Sequence, residues 1–246
     1  MGIEGNLPYA AARAHARHGL RLEEAAWRRI EASRDLGQYL EAARAGVLAD
    51  WVAGLDATSE SHAIERSLRN AWRAYVRGVV SWHPRAWQPW LEWWTWLPLL
   101  PLVARLARAA PVPPWMLADP VCGPVAVGSP AERAAALDAT PLAPLSDSVR
   151  TATPIGLAWV AEAEARMPRA GRRTLERLGL LLRLLSPGAG APLAEAAPAL
   201  LRLFRSAVDS GVASGCHLAL LLIDFERLRG GLVHRSLFSS SAAEVA

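Results

Sequence analysis

The residues of this 246-residue chain with the widest chemical range are six histidines and two cysteines, and their spacing limits what they can do. His15 and His18 stand three apart, as do His62 and Glu65, a separation that puts two side chains on one helical face as metal ligation requires. Neither pair extends to HExxH or gains a second ExxH, and arginines surround the first pair and would repel a cation. A surface or capping role is the reading, and no metal or other cofactor is expected. Cys216 and His217 are neighbours, so on a helix their side chains diverge by about 100 degrees and form no dyad. GxSxG and SxxK are absent, and "SPGAGAP" at 186–192 lacks the lysine and the following Ser/Thr of a phosphate loop. Asp224, Glu226, Arg227 and Arg229 make a charged segment that is either a solvated helix end or a docking surface. No two carboxylates are spaced for acid–base work, so no enzyme is expected.

Composition narrows the partners. All 27 basic side chains are arginine, against 23 acids, giving a net charge of only +4. Because the arginines alternate with glutamates along nearly every helical segment instead of forming one stripe, nucleic acid is not an expected partner. Cys122 and Cys216 have no CxxC neighbours and read as two free thiols. A membrane-spanning helix needs about twenty predominantly apolar residues, and the longest run free of charge, 210–223, has fourteen and includes His217. No apolar core precedes a small-residue cleavage site near the N-terminus, so the expected location is the cytoplasm, at most peripheral to the inner membrane.

The elements that must position these groups all carry the helical period. Asn6 and Pro8 open a first helix that Gly19 stops, a second carries Trp27 and Ile30, and a third after Asp35 carries Leu36, Tyr39, Leu40 and Ala43. The strongest, capped at Thr58 or Ser59, presents Ile64, Leu68, Trp72, Tyr75, Val76 and Val79 on one face. Proline and glycine crowd residues 111–150, which read as a connecting segment with at most a short helix near Pro130–Ala139. Helices resume at Thr153-Pro154, with stops expected at Gly188, Gly211 and Gly230. No strand signal is present. The expectation is an all-α protein of about nine to eleven helices in two bundle lobes, 1–110 and 151–236, with a loose tail at 237–246.

From Trp82 to Val103 there are six tryptophans and four prolines. Trp87, Trp90, Leu91 and Trp94 share one helical face while Trp93, Trp96 and Leu100 lie on another, so a single contact cannot bury them all. The second face, with Trp93 and Trp96, is either core between lobes or the place where a partner docks. Arg105 and Arg108 follow near one another in the amphipathic "LVARLARAA" and join Glu226 and Arg229 as candidate partner-binding residues.

The opening helices, through Tyr9, Arg13, Leu20, Leu22, Ile30, Leu36 and Leu40, resemble those of the d/C-type family of central-stalk proteins in V-type and archaeal-type rotary ATPases. The C-terminal "LALLLIDFERLRGGLV" is similar to that family's last helix. The resemblance implies a funnel of helical lobes without catalysis, seated between the membrane proteolipid ring and the central stalk. A reading of a different class is a free-standing helical module whose aromatic-rich region accepts an apolar ligand or a partner helix.

Overall fold

The computed structural model describes residues 6–243 except 109, 152, 170–192 and 208–209. The described chain is helical and contains no strand. The helix expected at 171–187, with its Gly188 stop, lies outside the described residues.

Local chemistry sets the first boundaries. Helix α1 (Leu7–Gly19) begins where the Asn6 side-chain oxygen accepts the Tyr9 N–H at 2.8 Å, with Pro8 in the first turn where its missing N–H is not needed. After α2 (Glu24–Glu31), Asp35 caps α3 (Leu36–Arg44) by accepting the Gln38 N–H at 2.8 Å. A short α4 (Ala49–Val52) leads to α5 (Ser61–Ser81), whose first residue follows Glu60. Thr58 and Ser59 do not cap it, because both are held in a turn by the Asp56 carboxylate.

The tryptophan region is a chain of short pieces: a 3-10 turn (Arg85–Trp87), α6 (Gln88–Trp93), a second 3-10 stretch (Trp94–Leu99) and α7 (Leu100–Ala107). Its prolines cause the fragmentation, Pro89 and Pro101 occupying first turns and Pro98 the 3-10 segment. Trp87, Trp90, Trp93 and Trp94 are all buried, while Trp96 is half-buried. Edge-to-face contacts run from Trp87 to Trp90 (5.9 Å between centroids), on to Trp94 (5.7 Å) and then to Trp159 (5.4 Å). Two indole N–H groups donate to backbone carbonyls, Trp72 to Trp94 and Trp93 to Trp159, each at 3.0 Å. Trp93 is therefore core, which removes it from any docking face.

The proline-rich segment is no connector. It folds into α8 (Pro114–Leu117), α9 (Gly123–Ala126), α10 (Pro130–Asp138) and α11 (Ser146–Thr151). A Ser129–Glu132 capping box starts α10. Arg69 lies 4.2 Å over the Trp115 ring and Arg73 bonds Asp119 at 2.9 Å, tying this region to α5. The prolines here start short helices and do not prevent them, which takes the number of helices above nine to eleven.

After α12 (Ile155–Arg166) and α13 (Leu193–Ser206) comes α14 (Val212–Ala243), the longest described helix. It packs on α13, α5, α1 and α3, and residues 211–220 are buried without interruption. A helix apolar on all sides belongs inside a bundle. Among the described residues, buried side chains from Ala10 to Leu232 form one core that draws on both expected lobes and on 111–150. Gly230 does not stop the helix, and the expected tail at 237–246 is helical as far as Ala243. No helix among the described residues is long and apolar enough to cross a membrane.

Candidate functional site: an aromatic-walled pocket

Where the C-terminus of α1 and the turn between α3 and α4 meet the middle of α14, the core opens into a cavity of about 290 Å³. On α14 the lining residues are His217, Leu221, Asp224, Phe225 and Leu228, one stripe at helical spacing; α5 adds Ala71, Ala74 and Tyr75. Trp27 of α2 and Trp51 of α4 complete the aromatic wall. The Trp51 ring stands 5.6 Å from Tyr75 and 6.1 Å from Phe225 between centroids.

Ion pairs fix the walls. Arg21 meets both oxygens of Asp224, at 2.5 and 2.9 Å, joining the end of α1 to α14. Arg227 reaches Glu24 and Glu31 of α2, with distances down to 2.5 Å, and its guanidinium lies 4.9 Å over Trp27. These contacts hold α2, and with it Trp27, against α14.

The floor of the cavity is a pair from two helices: the Tyr75 hydroxyl lies 2.7 Å from His217 Nε2. Burial pushes the Tyr75 phenol up to about 12, against a smaller opposing effect of Arg17. Burial also lowers His217 to about 3, assisted by His18, Arg21, Arg17 and His15. His18 falls to about 4 through burial, then Arg21, His15 and Arg205. At neutral pH the floor is thus an uncharged phenol on an uncharged imidazole. Behind it, the rings of His15 and His18 pack at a tilt against Phe204, at 4.2 and 4.6 Å between centroids, which is the use the fold makes of that helical pair.

The residues singled out in the sequence fall elsewhere. Glu226 and Arg229 belong to an ion-pair network within the chain: Arg229 pairs with Glu226 at 3.2 Å and Glu65 at 3.5 Å, and Glu65 also pairs with Arg69. Burial raises the Glu226 carboxyl, and the Arg229 and Arg69 guanidinium groups oppose that only in part. Trp96 keeps part of its ring exposed beside Arg73, whose guanidinium is 5.7 Å away. Arg105 and Arg108 donate to the carbonyls of Pro111 and Ala104 at the exposed surface. None of the six lines the pocket.

Cys122 and Cys216 are free and buried, and burial pushes both thiols up to about 12, far from a reactive thiolate. Among the described residues no group of three or more His, Cys, Asp or Glu side chains could hold a metal ion. Sequence reasoning missed Tyr75, His217, Arg21 and Asp224 because their partners lie 142 and 203 residues away. The one local signal is the spacing of His217, Leu221, Asp224 and Leu228 on one stripe of a helix whose first turns are apolar on nearly every side. No protein-family model, curated protein or solved structure matches the chain.

Proposed function

We propose that this chain is a non-catalytic helical binding module that takes a small apolar ligand into the pocket between α1, α4, α5 and α14. The observation that carries this is the cavity itself: about 290 Å³, walled by Trp27, Trp51, Tyr75 and Phe225, with Arg17, Arg21, Asp50, His217 and Asp224 as the ionisable part of an otherwise mostly apolar lining. Small-molecule sites have this character, concave and apolar with a few placed polar atoms. At roughly 30 Å³ per water-sized group the space suits on the order of ten heavy atoms. Burying about 200 Å² of ligand at ~25 cal/mol/Å² yields ~5 kcal/mol before the cost of association, so dissociation constants of roughly 10 μM to 1 mM are expected for simple fragments. The Tyr75–His217 pair, with both members uncharged near neutrality, supports binding over proton transfer.

Titration of the full chain with benzyl alcohol, followed by tryptophan fluorescence and ligand-observed NMR, tests the proposal. Leu221→Trp fills the cavity from its half-buried wall and is expected to abolish binding while the melting temperature is retained. Equal binding by Leu221→Trp would sink the assignment of this pocket. The rotary-ATPase coupling reading keeps as support only its sequence motifs at the two ends, since Trp93, Glu226 and Arg229 are committed to internal contacts.

A further inference from the structure

We infer that the occupant of this pocket is an aryl- or alkyl-carboxylic acid, its carboxylate held by the Tyr75 hydroxyl proton and Arg17. The inference rests on the pocket being a binding site and adds the chemistry of what binds.

The two nitrogens of His217 have different surroundings. Nε2 faces the Tyr75 oxygen at 2.7 Å, while Nδ1 is buried with no hydrogen-bond partner among the described residues. A neutral imidazole carries one N–H. Placing it on Nδ1 would bury an orphan donor in a sealed position, the rarer and costlier defect; placing it on Nε2 leaves an unmet lone pair there and frees the O–H of half-buried Tyr75, which lines the open cavity where water or a ligand can accept it. The Nε2–H tautomer is therefore the stable one, and it donates to the Tyr75 oxygen. The phenol then acts as acceptor toward His217, and its own O–H proton has no protein acceptor among the described residues. That proton belongs to a side chain lining the cavity, so it awaits an acceptor on the ligand.

Charge selects which acceptor. Arg17 lines the same cavity and pairs with no carboxylate among the described residues, whereas both oxygens of Asp224 are taken by Arg21. The exposed Asp50 at the mouth is the one lining carboxylate outside an ion pair in the described chain. An anionic head beside Arg17 gains a charge-assisted bond that a neutral alcohol lacks and an ammonium would forfeit.

The body of the ligand has room to extend. Leu22, Val47 and Leu48 line both this cavity and a second apolar groove of about 260 Å³ floored by Ala26, Ile30 and Ala42. Leu20 and Val47, two of the few large apolar side chains left exposed, stand at the mouth. A chain or ring attached to the carboxylate thus continues over apolar surface toward the second groove.

Three ligands with one body and different heads test this: 3-phenylpropanoate, 3-phenylpropan-1-ol and 3-phenylpropylamine, titrated calorimetrically into the full chain at pH 7.5. The acid is expected to bind about tenfold tighter than the alcohol and the amine weakest, since a hydrogen bond to a charged group is worth roughly 1.5–3 kcal/mol against about 1 for a neutral one. Tyr75→Phe and Arg17→Gln should each cut acid affinity about tenfold, with Arg17→Gln leaving the alcohol unchanged; Arg17 is exposed, so that variant folds whatever Tyr75→Phe does. An acid that binds no better than the amine, while the alcohol still binds and is lost in Leu221→Trp, overturns the carboxylate inference but spares the pocket. Failure of all three to bind overturns both. Long-range ¹H–¹⁵N correlation of the His217 ring gives a ligand-free readout: the Nε2–H pattern is expected, and the Nδ1–H pattern refutes the argument.

Discussion

One substitution made twice in the same helix separates backbone propensity from core packing. Gly215 and Gly230 both lie inside α14, and glycine in a helix interior costs about 1 kcal/mol relative to alanine. A Cβ added at Gly230 meets nothing within 4 Å, and the residue is exposed, so Gly230→Ala should stabilise by roughly 0.5–1 kcal/mol. At Gly215 the same Cβ would sit 2.3 Å from Cη2 and 2.9 Å from Cζ2 of Trp90, and 3.2 Å from Trp94. Carbon contacts are comfortable near 3.5–4.0 Å, so an indole must move by about 1 Å or more. Trp90 cannot move freely, being fully buried and flanked edge-to-face by Trp87 and Trp94. Overpacking costs about 1–3 kcal/mol, and indoles that cannot yield put this site in the upper part of that range, about 2–3 kcal/mol; less the helical gain of about 1 kcal/mol, Gly215→Ala is destabilised by about 1–2 kcal/mol net. For a chain of this size the two variants should melt on opposite sides of the parent, shifted by roughly 2–4 °C per kcal/mol. Urea denaturation monitored by far-ultraviolet circular dichroism gives the corresponding midpoints. Shifts of the same sign would refute the claim that the glycine in α14 is there to admit the tryptophan.

Acid should weaken the fold in the range set by His217. Its folded value, about 3, lies below the ordinary 6.5, so the unfolded chain binds the extra proton; the stability is fully present above pH 6.5 and is lost as pH falls toward 3, at up to about 1.4 kcal/mol per pH unit. His18 and His83, both lowered first by burial, act in the same direction, and a urea midpoint that does not change between pH 7 and 4.5 would contradict this. Trp93→Phe, which loses the bond to the Trp159 carbonyl and part of a buried ring, should cost about 2 kcal/mol, against less than about 1 for Trp96→Phe on its half-buried site; equal urea midpoints would argue against the core placement of Trp93. Asp224→Asn leaves Arg21 without its carboxylate and should cost about 2 kcal/mol, less than the roughly 3–5 for a fully buried pair because some solvent reaches both, as a thermal melt would register.

Much of the fold was legible because it is local. The α5 face was read correctly at Ile64, Leu68, Trp72, Val76 and Val79, all buried, and Asn6, Gly19 and Asp35 mark real helix boundaries. Proline was misread in one respect. In 111–150 it marked the first turns of short helices, and composition alone does not distinguish a chain that turns often from one that lacks helices. Of two glycines expected as helix stops, Gly211 does stand between α13 and α14 and must also be small to let Trp87 approach, whereas Gly230 lies inside α14, and at neighbouring Gly231 the Tyr39 hydroxyl would lie 2.5 Å from an added Cβ. Such reasons belong to tertiary contact and leave no mark at the glycine itself. The pocket was illegible for the same reason: Tyr75 looks like one more apolar-face residue until His217 is opposite it. The charged residues 224–229 read as a solvated helix end or a docking surface, but they lie in the middle of α14, where Arg227 and Arg229 are drawn into pairs with acids of α2 and α5 that only the folded chain brings near.

Because α14 is the helix around which α1, α3 and α5 assemble, the order of synthesis runs against the order of assembly. Arg21 leaves the ribosome 203 residues ahead of Asp224, its partner, which at about 5–20 residues per second is a wait of roughly 10–40 s. During that interval the nascent helices display the surfaces that will later enclose α14, with nothing of this chain to cover them. Translation speed and chaperone supply, more than the equilibrium stability of the finished bundle, would then govern how much protein is recovered from a cell.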